Sequence, residues 1–479
     1  MAIIVKLAKW LASMLVVLLL TIYFVRAYDS RNMPPLGPEY RIEFKHEFNA
    51  SQEAAVDWSA YLELESRLAI ELEEEIDMYA RPASRVDRFS DDSLTYPDNY
   101  PSNWNRSYEM SAPSPRGVAV LLHGLTDSPY SMRATAQSLV GAGYSVVVPR
   151  MPGHGFAVGG LLQARWEDWS AAVRIAVRHA IDLEGGDQQL LLVGYSNGGL
   201  MAVDYALRCD DIADLPCPGG LVLLSPAIAI TPLAAAANLH AVITWIPYFE
   251  KSKWQSILPE VDPFKFTSFP MRAAWEIYKL SGRAHKQLGN ADKVARLPPI
   301  LTFQSVVDNT VSARAIVNNL YKRLPVNGSE LFVYDVNRNN TVLHLMKNMP
   351  GDPADYFESM APLNFGVTIL RNRDRHGREI DLLTLAAGKL KSTLEMTEYA
   401  WPLGIYSLSH IAVPFPADDQ VYGDGSGLSD DDPGIAFGAL APRGEQGVLR
   451  LSPAYFLRTR YNPFFDFQKR YLLEWLGKL

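Results

Sequence analysis

Cysteine is scarce in this sequence, and an extended lysine- and arginine-rich tract is missing. The two cysteines among 479 residues, Cys209 and Cys217, give no sign of a metal site or a catalytic thiol. They bracket a short loop and leave two alternatives open: a disulfide in an oxidising compartment, or two free thiols. The net charge of −8 without a basic tract argues against a nucleic-acid partner.

The composition is that of an ordinary globular protein, with 48% hydrophobic and 20% charged residues. At this length we expect a single decorated domain with an α/β core.

The N-terminal residues are far more apolar than the rest of the sequence. Residues 10–25 (WLASMLVVLLLTIYFV) follow Lys6 and Lys9, a pattern typical of a membrane-targeting segment. We predict an uncleaved anchor within 1–27. A cleavable signal peptide ending near Ala27 is the alternative. The preceding lysines favour a cytoplasmic N-terminus, which would place the rest of the chain on the periplasmic or extracellular side.

The pattern after the anchor predicts an N-terminal extension over 28–116, with an acidic amphipathic helix at 51–80 and one or two edge strands near 104–110. Short apolar runs then alternate with helical patterns, which is typical of a mostly parallel sheet wound by helices. These predicted strands are 118–122, 144–149, 190–193, 221–224, 300–306 and 331–336. They divide the core into a first part, 117–230, and a second part, 299–479.

Two segments interrupt this predicted core. Residues 231–298 lack strand alternation and are interpreted as a helical cap. A second insertion is expected at about 345–400, with the charged run 371–379 as a solvated loop.

The strongest chemical motif is GYSNGG at 194–199, between an apolar strand and a helical pattern. The glycines permit a sharp strand-to-helix turn that exposes the Ser196 hydroxyl, as in a G-x-S-x-G nucleophile elbow. The helix dipole there favours developing negative charge. We therefore predict Ser196 as the nucleophile.

A second motif, HGL at 123–125, ends the first core strand, where an oxyanion hole can form. By position the two backbone N–H donors are those of Leu125 and Asn197. The His123 side chain is interpreted as structural, and His154, in PGHG, as part of a turn.

HGLTDSP, PGHG and GYSNGG, in this order on these strands, resemble the α/β-hydrolase superfamily, in its serine aminopeptidase and monoacylglycerol-lipase-like branch. The resemblance covers about 117–230 and implies a triad in the order Ser, acid, His. Asp308, directly after the strand at 300–306, matches the acid. Asp335 is the weaker competitor.

The histidine is the ambiguous member, because 337–340 (NRNN), where relatives carry their base, contains none. His410 follows the β-prone run 403–408 in an SH pair that resembles some bacterial relatives, and the prolines that follow prevent a helix there. His344 lies in a short apolar run and is interpreted as a packed residue. We predict His410 as the base.

Together these residues predict a serine hydrolase that cleaves carboxylic esters, acyl lipids or other hydrophobic esters among them, through an acyl-enzyme. No metal or organic cofactor is implied, and the expected partners are a small ester or lipid and the membrane. Two alternatives stay open: an inactive binding module at the membrane, or an aminopeptidase. The aminopeptidase would hold a free amine with cap carboxylates such as Glu250, Glu260 and Glu276.

Overall fold

The structure is a computed structural model of the chain. It describes residues 2–79, 84–183, 189–212, 215–229, 247–308, 311, 313–336, 338–340, 351–403, 408–427, 437–438 and 459–479.

The N-terminal part consists of three helices. Helix α1 (Ala2–Asn32) contains the segment Val5–Val25, which is long and apolar enough to cross a membrane and is not buried against the protein. Helix α2 (Pro38–Arg41) follows, and α3 (Trp58–Asp77) forms within the predicted amphipathic region. Five buried residues of α3 lie at helical spacing, so one face of the helix packs on the core.

The described residues form a ten-stranded sheet and a separate two-stranded ribbon. The ten strands are β1 (Tyr108–Met110), β2 (Gly117–Leu122), β3 (Tyr144–Val148), β4 (Gln189–Tyr195), β5 (Gly220–Leu224), β8 (Ile300–Ser305), β9 (Glu330–Asp335), β10 (Gly366–Asn372), β11 (Glu379–Leu385) and β12 (Thr393–Ala400). The ribbon pairs β6 (Trp254–Ser256) with β7 (Phe269–Pro270).

The order across the large sheet is β1-β3-β2-β4-β5-β8-β9-β10-β11-β12. Neighbours from β3 to β10 run parallel, whereas β1, β11 and β12 pair antiparallel with theirs. The six predicted core strands are confirmed to within two residues at their ends. Strands such as β2 are buried along their whole length because helices cover both faces of the sheet.

Helices on both sides create two apolar cores. The further described α-helices are α4 (Arg133–Gly141), α5 (Trp166–Leu183), α6 (Asn197–Ala206), α7 (Met271–Leu288), α8 (Ala291–Ala295), α9 (Ala313–Asn319), α10 (Pro353–Glu358) and α11 (Phe465–Leu476). Residues of α5, α6 and α7 join one core, and residues of α4 and α11 join the other. In α5 the buried residues Trp169, Val173, Val177 and Ala180 lie at the predicted helical spacing.

Two expectations need correction. The described part of the predicted cap, 247–298, contains α7 and α8 but also the β6–β7 ribbon, so it is not purely helical. The described part of the predicted insertion, 351–400, extends the sheet by β10, β11 and β12. The charged run 371–379 therefore begins and ends in strands and forms the turn between β10 and β11. The Arg373 guanidinium pairs with Asp381 at 2.9 Å across this hairpin.

The cysteine alternatives are resolved by a disulfide between Cys209 and Cys217, whose Cα atoms lie 5.0 Å apart. It closes a short loop directly after α6, the helix that begins at the proposed nucleophile.

Candidate active site

Ser196 occupies the turn between β4 and α6, and its backbone is strained. Its φ is 53° and its ψ is −112°, a conformation that side-chain-bearing residues rarely adopt. The turn is held from the neighbouring strand, because the Ser196 N–H donates to the Leu224 carbonyl at 2.9 Å. The Ser196 carbonyl accepts from the Ala227 N–H, also at 2.9 Å. Backbone hydrogen bonds on both sides thus fix the position of a partly exposed serine.

Glycine is required on both sides of Ser196 because other backbone atoms lie very close to these positions. A Cβ on Gly198 would lie 1.9 Å from the Leu122 carbonyl oxygen, and one on Gly194 would lie 2.3 Å from the Gly198 backbone. Neither position has room for a side chain. The sequence motif is therefore explained by packing as well as by turn geometry.

The predicted oxyanion donors lie on two segments that meet at this turn. Asn197 is the first residue of α6, where backbone N–H groups have no acceptor within the helix. Leu125 follows β2 in a loop whose next residue, Thr126, has φ 66°. The Thr126 carbonyl accepts from Phe266 N–H at 2.8 Å, and Asp127 pairs with Lys265 at 3.0 Å. The loop is thus held by the segment between β6 and β7.

Asp308 follows β8, as predicted, and its side chain is completely buried. Its Oδ2 accepts from Gln304 Nε2 at 3.0 Å, and its Oδ1 accepts from the Val311 N–H at 2.9 Å. The same Oδ1 lies 3.5 Å from Nδ1 of His410. The structure therefore brings the predicted acid and the predicted base together.

His410 begins a short 3₁₀ helix, His410–Ala412, and is buried. Its imidazole lies against the ring of Tyr195, with 6.4 Å between ring centroids and 27° between planes. The base therefore lies beside both the acid and Tyr195, the residue that directly precedes Ser196. His344 lies outside the described residues, and so does most of the predicted strand at 403–408.

Asp335, the competing acid, is engaged elsewhere. It is buried at the end of β9, and its Oδ2 accepts from Arg338 Nε at 2.5 Å. Burial raises the pKa of this carboxyl, and the neighbouring Arg338 opposes that shift.

The two remaining motif histidines are buried and bonded to the backbone. His123 Nε2 accepts from the Met151 N–H at 2.9 Å, which leaves Nδ1 to donate to the Gly124 carbonyl at 2.9 Å. Burial lowers the pKa of His123 well below its usual value, and burial lowers that of His154 to about 4. Both rings are therefore neutral at pH 7, and His123 links the oxyanion loop to the PGHG turn.

Three features of the site were not predicted from the sequence. They are the contacts of Lys265 and Phe266 with the oxyanion loop, the contact of Tyr195 with the base, and the buried bonds that hold the histidine segment. None of these contacts leaves a local pattern in the sequence, because the partners lie far apart along the chain.

A serine on a strained strand-to-helix turn of a mostly parallel sheet, with an Asp–His pair packed against the residue that precedes it, defines an α/β hydrolase.

Comparison with known proteins supports this class. A family model described as serine aminopeptidase S33 matches residues 113–338. A thermostable monoacylglycerol lipase from Bacillus sp. (strain H-257) is 33% identical over 197 residues, which cover 41% of this chain and 72% of that protein. The chain belongs to this serine aminopeptidase S33 family of α/β hydrolases.

Two solved structures resemble the chain over about half its length. The monoacylglycerol lipase of Paleococcus ferrophilus is 22% identical, covers 48% of this chain and 88% of its own, and has a TM-score of 0.36. A thermostable carboxyl esterase from Bacillus coagulans is 16% identical, covers 47% of this chain and 83% of its own, and has a TM-score of 0.37.

Proposed function

We propose that the protein hydrolyses carboxylic esters through an acyl-enzyme on Ser196, with Asp308 and His410 as its acid and base. The main support for this proposal is the position of the His410 imidazole. Its Nδ1 lies 3.5 Å from the buried Asp308 carboxylate, and its ring packs on Tyr195, next to the nucleophile. Catalytic hydrogen bonds are often long in a free enzyme and tighten when substrate binds.

In the proposed mechanism His410 takes the Ser196 proton while the serine oxygen attacks the ester carbonyl. Asp308 holds the imidazole in the tautomer that carries its proton on Nδ1 and stabilises the imidazolium that forms. The backbone amides of Leu125 and Asn197 donate to the oxyanion. The alcohol leaves with the proton from His410, and a water activated by the same base then hydrolyses the acyl-serine.

The proposed substrates are esters with an apolar acyl chain, monoacylglycerols among them. The support comes from the relative, a monoacylglycerol lipase, and from the apolar surroundings of the oxyanion loop. Leu125 packs against a cluster that includes Trp254, Ile257 and Phe266.

This cluster also includes Leu36, which follows the end of α1 by four residues. We propose that α1 attaches the enzyme to a membrane, with the catalytic part on the non-cytoplasmic side.

The aminopeptidase alternative is weaker because its three candidate amine ligands are already paired. Glu250 pairs with Arg41 at 3.1 Å. Glu260 is buried and accepts from two backbone N–H groups, each at 2.9 Å. Glu276 is buried and pairs with Arg272 at 2.9 Å and with a neighbouring lysine at 2.6 Å. An ammonium ligand would have to displace one of these partners.

Active-site labelling tests the proposal against the inactive binding module. A fluorophosphonate probe should label the wild-type protein and fail to label Ser196→Ala, whose fold is retained because alanine fits the same turn. The matched control is Ser225→Ala. Ser225 also has a positive φ, 45°, after the adjacent strand β5, but it is fully buried, so this variant should still be labelled. A folded wild type that resists the probe would leave the binding module as the explanation.

A test of ester against peptide specificity uses the same purified full-length protein. Monoacylglycerols and p-nitrophenyl esters of increasing chain length are compared with aminoacyl amides. We expect turnover of the esters alone. Preferential turnover of the amides would refute the proposed substrate class.

A further inference from the structure

The segment that carries His410 reaches the active site by a long route. The chain leaves β9, which lies next to the acid's strand β8, and forms β10, β11 and β12 before it returns. The position of the base is therefore not set by a short connection to β9. It depends on non-covalent contacts made by residues 408–427.

One such contact joins the base segment to the acid's strand. Ser305 is the last residue of β8 and is fully buried. Its hydroxyl donates to the carbonyl of Leu408 at 2.6 Å. Leu408 precedes His410 by two residues, and Ser305 precedes Asp308 by three. This hydrogen bond thus connects the strand end that presents the acid to the segment that presents the base.

A second set of contacts joins the base segment to the oxyanion side of the site. The Asp419 carboxylate is buried, with 1% of its side chain exposed. Its Oδ1 accepts from the Tyr130 hydroxyl at 2.7 Å, and its Oδ2 accepts from Arg133 Nη2 at 3.1 Å. Oδ1 also accepts from the N–H groups of Val421 and Tyr422, at 3.0 and 2.9 Å. Asp419 therefore binds its own turn to the residues that follow the oxyanion loop.

Aromatic contacts hold the turn that connects His410 to Asp419. The Phe415 ring stacks on Tyr130 with 6.2 Å between centroids and lies 4.4 Å from Tyr422. Phe264, which lies between β6 and β7 like the residues that hold the oxyanion loop, stacks on Tyr130 with 4.4 Å between centroids. The turn from His410 to Asp419 thus packs against Tyr130, the residue that Asp419 also binds. Because the packing is close, the position of Asp419 determines the position of this turn.

We propose that Ser305 and Asp419 are positioning residues that hold the His410 segment where its imidazole can act as the base. Ser305 fixes it relative to the acid, and Asp419 fixes it relative to the oxyanion segment. This inference rests on the proposed function, because it concerns the base of that reaction. Neither residue needs to touch the substrate. Loosening either contact displaces the imidazole from both partners, and small displacements of catalytic groups are costly in rate.

The test of Ser305 is Ser305→Ala in the full-length protein. We expect kcat for a short p-nitrophenyl ester to fall about tenfold, with KM within about twofold, because the base moves while the binding surface stays. The matched control is Ser138→Ala, which removes a buried hydroxyl that donates to a backbone carbonyl at 2.8 Å within α4. It should lower the melting temperature to a similar extent and leave kcat unchanged.

The test of Asp419 is Asp419→Asn. The amide oxygen can keep the two backbone donors, but the amide nitrogen would face the Arg133 guanidinium, so the link to α4 is lost. We expect kcat and the rate of fluorophosphonate labelling to fall about 10- to 100-fold. The control is Asp168→Asn, a buried carboxylate of α5 that accepts from the Ala50 and Arg165 N–H groups at 2.8 and 2.9 Å. It should leave kcat unchanged.

The outcomes separate this inference from the proposed function. If the wild type is labelled and Ser196→Ala is not, the proposed function stands. If Ser305→Ala and Asp419→Asn then keep wild-type kcat, or lose no more than their controls, the positioning role is refuted. If each variant lowers kcat selectively at unchanged KM, the role is supported. A wild type without labelling would refute the proposed function itself.

Discussion

The environment of Asp308 makes a quantitative prediction for Asp308→Asn. The atom in the place of Oδ1 must stay an acceptor, because the Val311 N–H donates to it at 2.9 Å. The same oxygen faces His410 Nδ1. The new side chain should therefore orient its oxygen toward the histidine and its nitrogen toward Gln304. Gln304 can adapt by rotating its amide, since its Oε1 has no hydrogen-bond partner among the described residues, although this breaks the bond from Nε2 to the Ser305 carbonyl at 3.2 Å. The imidazole then keeps its tautomer, and the change removes mainly the negative charge.

The expected magnitude follows from Coulomb's law. At the 3.5 Å separation and an effective dielectric constant of about 20, the lost attraction to a fully formed imidazolium is about 5 kcal/mol. Since each 1.36 kcal/mol is about a tenfold change in rate, kcat should fall between about 10³- and 10⁴-fold. KM should change little, because Asp308 does not contact substrate in the proposed mechanism.

The assay is steady-state hydrolysis of a p-nitrophenyl ester by purified full-length variants, with thermal melting to confirm folding. Asp335→Asn is the matched control, a buried aspartate after the neighbouring strand that pairs with Arg338. It should keep near wild-type kcat. An Asp308→Asn variant within about tenfold of wild type would refute the electrostatic argument. Full activity in Asp308→Asn with loss in Asp335→Asn would show that the acid has been misassigned.

Three further predictions concern the base, the pH dependence of stability and the disulfide. His410→Ala should fall to the background of the nucleophile variant in the ester assay, whereas His344→Ala should keep substantial activity; the reverse result would overturn the assignment. Burial lowers the pKa of His154 from 6.5 to about 4, so the unfolded chain binds the extra proton between these values. The unfolding free energy should therefore decrease as pH falls from about 6.5 to 4, by about 1.4 kcal/mol per pH unit for this residue. Urea unfolding at several pH values should show that the unfolding free energy of His154→Gln depends less steeply on pH than that of the wild type. An equally steep pH dependence would contradict the prediction. Reduction of the Cys209–Cys217 bond, which spans a sequence separation of 8, should lower the unfolding free energy by about 2 to 3 kcal/mol in urea titrations. No change on reduction would indicate that the closed loop does not restrict the unfolded chain.

The central sheet could be predicted because a strand covered on both faces is a nearly continuous apolar run. Strand β2, with the sequence GVAVLL, is an example, since all of its residues are buried. The nucleophile turn was also predictable, because backbone contacts as short as those of Gly198 leave an obligatory glycine in the sequence. In both cases the physical cause acts on neighbouring residues and therefore leaves a local pattern.

The sheet extension was missed because its signal is mixed. Strands β10 and β11 are apolar but are separated by the charged run 371–379, and β12 is largely exposed. The contacts that hold the base segment leave even less of a pattern. Ser305 and its acceptor are 103 residues apart, and Asp419 and Arg133 are 286 apart. Partners this distant in sequence are decided by the tertiary fold alone.

The path from Asp308 to His410 also bears on how the protein folds. Closing a flexible loop of about 100 residues would cost about 4 kcal/mol of chain entropy before any contact at its ends could form. Strands β10, β11 and β12 divide this closure into short steps, because each new strand pairs with the one before it. We therefore expect the sheet extension to form before the base reaches the acid, so that hydrolytic competence is the last property acquired during folding.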